Sequence, residues 1–241
     1  MLNLNLNVKG EVEFKGGNTS LSGSPTTTVK QHVIRALYDG TSLSKITKIV
    51  LVDTGGTERD STTSLSYSVS GNKLTITCNI SITANYTIGK VRSYAGADLY
   101  FETTPSTQLS VKSGDTVNVS LEITVSISGT LVYGDILISL SMVDFSNLVC
   151  NVLAGNTTPD KLNISTIVFV GSVKNFNITP SKTLSADGLK VSFSGSVTSD
   201  TTMRITAIRI QAPANILWQY TGLDVGIYDG DILDYSEDTS I

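Results

Sequence analysis

Apolar and polar residues alternate along most of the chain with a period of two. From Leu2 to Phe14 the residues Leu2, Leu4, Leu6, Val8, Gly10, Val12 and Phe14 share one parity, while Asn, Lys and Glu occupy the other. Successive side chains of a strand point to opposite faces, so this predicts a long strand with one dry and one wet face. The stretch Leu65 to Phe101 carries the pattern furthest, with Leu74, Ile76, Cys78, Ile80 and Ile82 on one parity. A turn at Ala84-Asn85 leads to a second apolar run through Ile88 and Val91, and a third follows at Leu99 to Phe101. Gln108 to Val111 and Val117 to Ser128 continue as strands around Ser113-Gly114-Asp115. Gly16 to Thr28 (GGNTSLSGSPTTT) reads as turn and loop. The period changes once in this half. Val29, Val33, Ile34 and Leu37 fall at helical spacing, with Thr28 at the N-cap and Gly40 after the last turn, which predicts a helix of about ten residues. KITKIVLVD (45–53) is again a strand, closed by Thr54-Gly55-Gly56.

The second half repeats this order. Val8-x-Gly10-x-Val12-x-Phe14 is matched by Ile127-x-Gly129-x-Leu131-x-Tyr133 within the strand pattern of 122–142, and FSNLVCNVLAGN (145–156) matches the helix. KLNISTIVFVG (161–171) matches KITKIVLVD, and Ile205 to Arg209 matches Ile88 to Arg92. Leu217-Trp218 matches Leu99-Tyr100, and Gly230-Asp231 matches Gly114-Asp115, with the offset drifting only from 119 to 116. Matches in one order at nearly one offset indicate a duplication. The expected fold is therefore all-β: two tandem β-sandwich domains of jelly-roll or Ig-like type, each with one short helix, over 1–121 and 122–241. The last strand of the first unit (VNVSLEITVSISG) runs into the first strand of the second, whereas the second unit ends in a short acidic stretch, DILDYSEDTSI. An incomplete edge invites strand addition. The arm formed by Leu2, Leu4, Leu6 and Val8 is the candidate assembly element: it pairs within its own unit, or it completes the edge of a neighbouring copy in a filament or ring.

Composition sharpens this picture. Hydrophobic residues make up 40% of the 241, enough for a packed core, and only 16% are charged. Ser, Thr and Asn supply most of the polar surface, and β-branched residues suit a pleated sheet. A net charge of −4 leaves no electrostatic footprint for nucleic acid. The charge is uneven: 11 basic and 9 acidic residues up to Leu121, against 6 and 12 beyond it. No apolar run approaches the length of a transmembrane helix, so no membrane insertion is expected. Seven Asn-x-Ser/Thr sequons, at Asn18, Asn79, Asn85, Asn118, Asn156, Asn163 and Asn177, give the surface an extracellular look, yet the N-terminus lacks the pattern of a signal peptide. Two explanations reconcile these: an export signal has been removed, or the protein reaches the outside by assembling into a particle in the host cytoplasm, and the retained Met1 favours the second.

Candidate chemistry is sparse. His32 is the single histidine and sits in the short helix, where a structural role is expected rather than that of a catalytic base. Cys78 and Cys150 read as small buried hydrophobes rather than a disulfide. One His and two Cys provide no zinc set, and no cofactor is implied. Asp229, Asp231 and Asp234 offer hard oxygen ligands for Ca²⁺, but without the loop spacing such a site needs; a solvated acidic edge is the alternative. Tyr100, Trp218 and Tyr220, with Tyr94, Arg92 and Arg209, suit a sugar-stacking platform. Tyr100 and Trp218 fall at matched positions of the two copies, which favours core packing for them instead.

The sequence of a helix ending IRALYDG, then ITKIVLVDTGGT, ANYTIGKVRSYAGADLYFE and LSVKSGDTVNVSLEITVS resembles a β-sandwich repeat domain of virion structural proteins. Such domains occur in surface, turret and tail-fibre-like proteins of archaeal viruses and tailed phages. The resemblance covers about residues 28–127 well and 145–235 weakly. It implies a non-enzymatic structural protein on the exterior of a virus particle, a surface, turret, spike or fibre component, whose partners are itself, other virion proteins and host-surface glycans. A cellular surface-filament or adhesin subunit, or a carbohydrate-binding module, is the alternative.

Overall fold

The computed structural model describes residues 2–129, 131–133 and 136–241. The first half contains β1 (Leu2–Phe14), β2 (Gly17–Pro25), α1 (Thr27–Asp39), β3 (Lys48–Asp53), β4 (Glu58–Thr62), β5 (Ser66–Ser70), β6 (Lys73–Ser81), β7 (Tyr86–Ala95), β8 (Asp98–Pro105) and β9 (Leu109–Val111). β10 (Thr116–Gly129) crosses the expected domain boundary without a break. The second half adds β11 (Leu131–Tyr133), β12 (Ile136–Met142), α2 (Phe145–Ala154), a 3-10 turn at Pro159–Leu162, β13 (Thr166–Gly171), β14 (Asn175–Ile178), β15 (Ser181–Leu184), β16 (Lys190–Thr198), β17 (Met203–Ala212), β18 (Asn215–Ile227) and β19 (Ile232–Ser240). The chain is all-β, with two short helices and two sheets among the described residues. Of the strand pattern at 122–142, residues 130, 134 and 135 lie outside the described residues.

Strand pairing recurs from half to half. The first half runs β1-β2-β8-β7-β3-β4 on one wall and β10-β6-β5 on the other; the second runs β11-β12-β18-β17-β13-β14 and β19-β16-β15. Two irregularities coincide as well. The β7–β8 ladder slips between Ser93 and Tyr94 and β17–β18 between Ile210 and Gln211, while β3–β7 slips at Val52/Asp53 and β13–β17 at Val170/Gly171. The turn before β10 is closed by Asp115 Oδ2 accepting from Lys112 N at 2.7 Å, and that before β19 by Asp231 Oδ2 accepting from Tyr228 N at 2.7 Å. Gly114 and Gly230, at φ 89° and 91°, supply the left-handed residue that both turns need.

Three expectations are corrected. Gly16 to Thr28 is largely strand: β2 pairs with β1 on one side and β8 on the other. Its Ser, Thr and Gly content hid this, because only Thr19 and Leu21 turn fully inward and the opposite parity faces water. The N-cap of α1 is Thr26, whose Oγ1 accepts from Val29 N at 3.4 Å and donates to Leu99 O at 2.6 Å. Finally, the register equates Trp218 with Phe101 rather than Tyr100, since Phe101 faces Ser93 and Pro25 as Trp218 faces Ile210 and Met142. Both hairpins carry the same bulge, so Tyr100 corresponds to Leu217, one residue away from the match that the apolar pattern suggests.

The halves are interlocked. Each helix packs on its own half and on the other: α1 on β8 and on β15–β16, α2 on β18 and on β5, β6 and β10. Two backbone bonds cross reciprocally, Ile46 N to Leu153 O at 2.9 Å and Ile164 N to Leu37 O at 3.0 Å. This is the i-to-j, j-to-i pattern of an isologous dimer, here within one chain. Gly40 and Gly155, both left-handed at the helix C-caps, let the chain turn into these contacts. β1 joins the walls as well, antiparallel to β10 over Leu2–Glu13 and parallel to β19 at Leu2↔Thr239 and Asn3↔Ser240. One apolar cluster therefore runs through both halves.

One defect in that core is testable. Thr239 is fully buried and its Oγ1 has no hydrogen-bond partner among the described residues, whereas the equivalent position in the first half is Ile123. Leaving a buried hydroxyl unpaired costs about 1–3 kcal/mol. Thr239→Val is expected to raise stability by about 1 kcal/mol, read as a higher urea midpoint at unchanged slope.

Candidate functional site

The structure disperses the residues singled out from the sequence. Leu2, Leu4, Leu6 and Val8 are buried at 0–9% exposure against β10 of their own chain, so the arm is internal rather than a donor strand. Its alternation, read as suitable for a neighbour's edge, is satisfied by the edge of β10. Tyr100, Trp218 and Tyr220 are likewise buried, at 0%, 0% and 1% exposure, and form no surface platform. Tyr100 OH contacts His32 Nδ1 at 2.8 Å and accepts from Ser44 N at 3.1 Å, fastening α1 and the loop after it to β8. Burial lowers the His32 pKa, against an opposing pull from Asp98. Arg92 and Tyr94 lie elsewhere, on the outer face of β7, bonded to Glu58, with Arg92 also held by Glu102 at 2.8 Å.

The proposed calcium ligands do not converge. Asp231 closes its turn, Asp229 donates its backbone N–H to Thr202 Oγ1, and Asp234 pairs with Ser196 on the exposed face of β19. Among the described residues no group of three or more His, Cys, Asp or Glu could hold a metal ion. Cys78 and Cys150 are free and buried, and burial pushes both thiols up to about 12.

A different group stands out: Glu237. It is one of three buried carboxylates among the described residues. The other two tie turns, Asp53 to Thr57 N and Arg59, and Asp60 to Thr83 and Tyr86. Glu237 instead points into the aromatic core of the second half. It accepts from Tyr235 OH at 2.7 Å, from Trp218 Nε1 at 3.4 Å and from Tyr220 OH. Phe193 packs against both Trp218 and Tyr235, with ring centroids 6.1 and 6.2 Å apart. The first half is built differently at the same place. Leu121, Phe101, Thr103, Val119 and Ile76 occupy the equivalent register positions, and all are buried. Where the first half centres on Leu121, the second places a carboxylate among aromatic rings. The sequence signal was the alternation of β19 itself, where Tyr235, Glu237 and Thr239 share the inward parity; reading DILDYSEDTSI as a solvated acidic edge passed over it.

Desolvation raises the Glu237 pKa above its ordinary 4.5, with the three donors pulling it back down. A carboxyl whose folded pKa is raised binds its proton more tightly in the native state. Its contribution to stability is complete below the ordinary pKa and is lost as pH rises through the folded value. Glu237→Gln keeps the shape and an acceptor oxygen but does not titrate. The stability advantage of the variant over the parent is expected to grow from pH 4 to pH 8 in urea unfolding at fixed ionic strength. A constant difference would show that Glu237 titrates alike in the folded and unfolded chain, and a shrinking one that it stays ionised in the fold.

Beside the cage, a cavity of about 240 Å³ lies between β19 and the β17–β18 wall, lined by Ile138, Phe169, Ile205, Ile208, Leu223 and Tyr235 among others. It is apolar, with Asp234 and Ser236 contributing from β19, and lacks the converging polar groups that orient a small-molecule substrate. Outside, the Asn of six sequons is exposed and that of Asn163 is half-buried. No described helix is long and apolar enough to cross a membrane. Compared with known proteins, the chain matches no family model, no curated protein and no solved structure.

Proposed function

We propose that the chain is a structural, non-enzymatic protein of a virus particle, a surface, turret, spike or fibre component that acts by self-association and docking. The observation that carries this reading is the reciprocal locking of the halves. Histidine, cysteines and nearly all large aromatics are committed to packing, and the outward parities of the strands are Ser, Thr, Asn and short ion pairs. Such a body suits a load-carrying element more than a reaction vessel. The order of motifs, which resembles a virion β-sandwich repeat, gives the reading its biological setting. The sugar-binding alternative loses its main support, since the aromatic platform it needs is internal.

Electron microscopy of purified particles labelled with an antibody against this chain tests the proposal. Regular labelling of the particle exterior is the expected result. Label confined to host envelopes or filaments would overturn it in favour of a cellular surface subunit.

A further inference from the structure

At the seam between the halves, the two copies fill one place with different chemistry. The reciprocal backbone bonds of Ile46 and Ile164 make Lys45 and Asn163, one residue upstream of each, counterparts. Each lies against the helix-capping glycine of the opposite half, Lys45 at Gly155 and Asn163 at Gly40. Tyr67 pairs with Ile76 as Lys182 pairs with Phe193, so those two are counterparts as well. In the first half the ammonium of Lys45 sits over the Tyr67 ring, 4.4 Å from its centroid. In the second, Lys182 Nζ donates to Asn163 Oδ1 at 2.5 Å. Because one copy closes this spot with a Lys–Tyr pair, the fold does not require an amine facing an amide in the other.

The surroundings of Lys182 suit a nucleophile better than a surface cation. It is half-buried, its Nζ is 5.7 Å from the Tyr38 ring centroid, and no carboxylate among the described residues lies within ion-pair distance of it. The carboxylates nearby are engaged elsewhere, Asp39 with Arg35 and Thr41, and Asp160 with Lys161. Burial lowers the Lys182 pKa, with Asp39 pulling the other way, and so enlarges the fraction present as free amine. Asn163 is fixed by its own backbone: its N–H donates to Asp160 O at 3.1 Å, and Ile164 N donates to Leu37 O at 3.0 Å. A C=O bond is about 1.23 Å long, so the amine nitrogen is within about 3.7 Å of Asn163 Cγ. Reacting atoms in a near-attack pair are about 3–3.5 Å apart, and holding them there equals a reactant concentration of about 10⁵–10⁸ M. That factor offsets the sluggishness of an unactivated amide.

We infer that Lys182 and Asn163 condense into an intramolecular isopeptide cross-link. The neutral amine attacks Cγ; the Nζ–Cγ bond forms and the Cγ–Nδ2 bond breaks. One proton passes from Nζ to the departing Nδ2, which leaves as ammonia, and the proton that Lys182 sheds beforehand goes to solvent. The product ties β15 covalently to the loop that bonds to α1 of the other half, so the seam is locked by more than packing. The chemistry does not depend on the scaffold reading.

Intact mass spectrometry of the folded full chain is the test. After incubation at pH 9 the mass should fall short of the sequence by one ammonia, and the loss should be faster than at pH 6, where less free amine is present. Trypsin should release a branched peptide joining Asn163 to an uncleaved Lys182. Lys182→Arg keeps the cation and a donor, and the double variant Asn163→Lys, Lys182→Tyr installs the first half's own pair. Both should fold and keep the full mass of their sequences. A deficit that survives Lys182→Arg would mean an asparagine cyclised on its own backbone, and would overturn the inference. Full mass in the parent chain after prolonged incubation would overturn it too, as would a glycan on Asn163, which heads a sequon. None of these outcomes alters the particle-labelling result, so the scaffold reading stands or falls separately.

Discussion

Deletion of residues 2–8 is expected to abolish cooperative folding rather than to block assembly alone. The segment buries Leu2, Leu4, Leu6 and Val8, and each such side chain contributes about 1.5–3 kcal/mol on removal from water. Together that is roughly 6–12 kcal/mol, comparable to the whole stability of an ordinary domain, about 5–15 kcal/mol. The deletion also strips β10 of its partner from Ile123 to Gly129 and takes away the β19 contacts at Leu2 and Asn3. Circular dichroism during urea titration should show a broad transition or none, and light scattering should report aggregation through the exposed β10 edge. A sharp transition near that of the parent chain would mean that β1 is dispensable to the core and free to be exchanged.

Trp218→Ala is the second large effect. The indole is fully buried, packs edge-on against Phe145 with centroids 6.1 Å apart, and donates to Glu237. Truncating a core Trp costs about 3–5 kcal/mol, mostly through the cavity left behind. Here the loss of a donor to a buried carboxyl adds to it. The urea midpoint should fall accordingly, and more steeply at neutral than at acid pH, where a protonated Glu237 needs the donor less. If a folded Trp218→Ala protein instead kept its stability and lost binding to a glycan array, the residue would be a ligand contact and the packing described above would be wrong.

Both effects concern the inner faces, and those were legible from the chain alone. Alternation at 2–14 and 74–82 identified strands and their buried parity because a strand offers only two faces, so a period of two leaves one solution. The glycine after each helix and the Gly-Asp turns were visible for a similar local reason: a left-handed φ narrows the choice of residue. β2 was not legible. A strand with one wet face and small inward residues has the composition of a loop, and only its two neighbours, β1 and β8, hold it in the sheet. The roles of Tyr100, Trp218 and Tyr220 were open because an aromatic residue suits a core and a sugar platform equally well, and exposure is a property of the whole fold.

By itself the sequence determined the all-β class, the recurring order of elements and the parity that faces inward, since each follows from period, turn chemistry and offset within a few residues. Tertiary structure decided that each helix packs on both halves, that β1 is held between β10 and β19, that Glu237 sits in an aromatic cage, and that Val173, Tyr228 and Ile232 stay exposed. Those features depend on which distant segments meet. Burial, charge environment and exposure arise from contacts between residues far apart in the chain, and no local pattern encodes the partner.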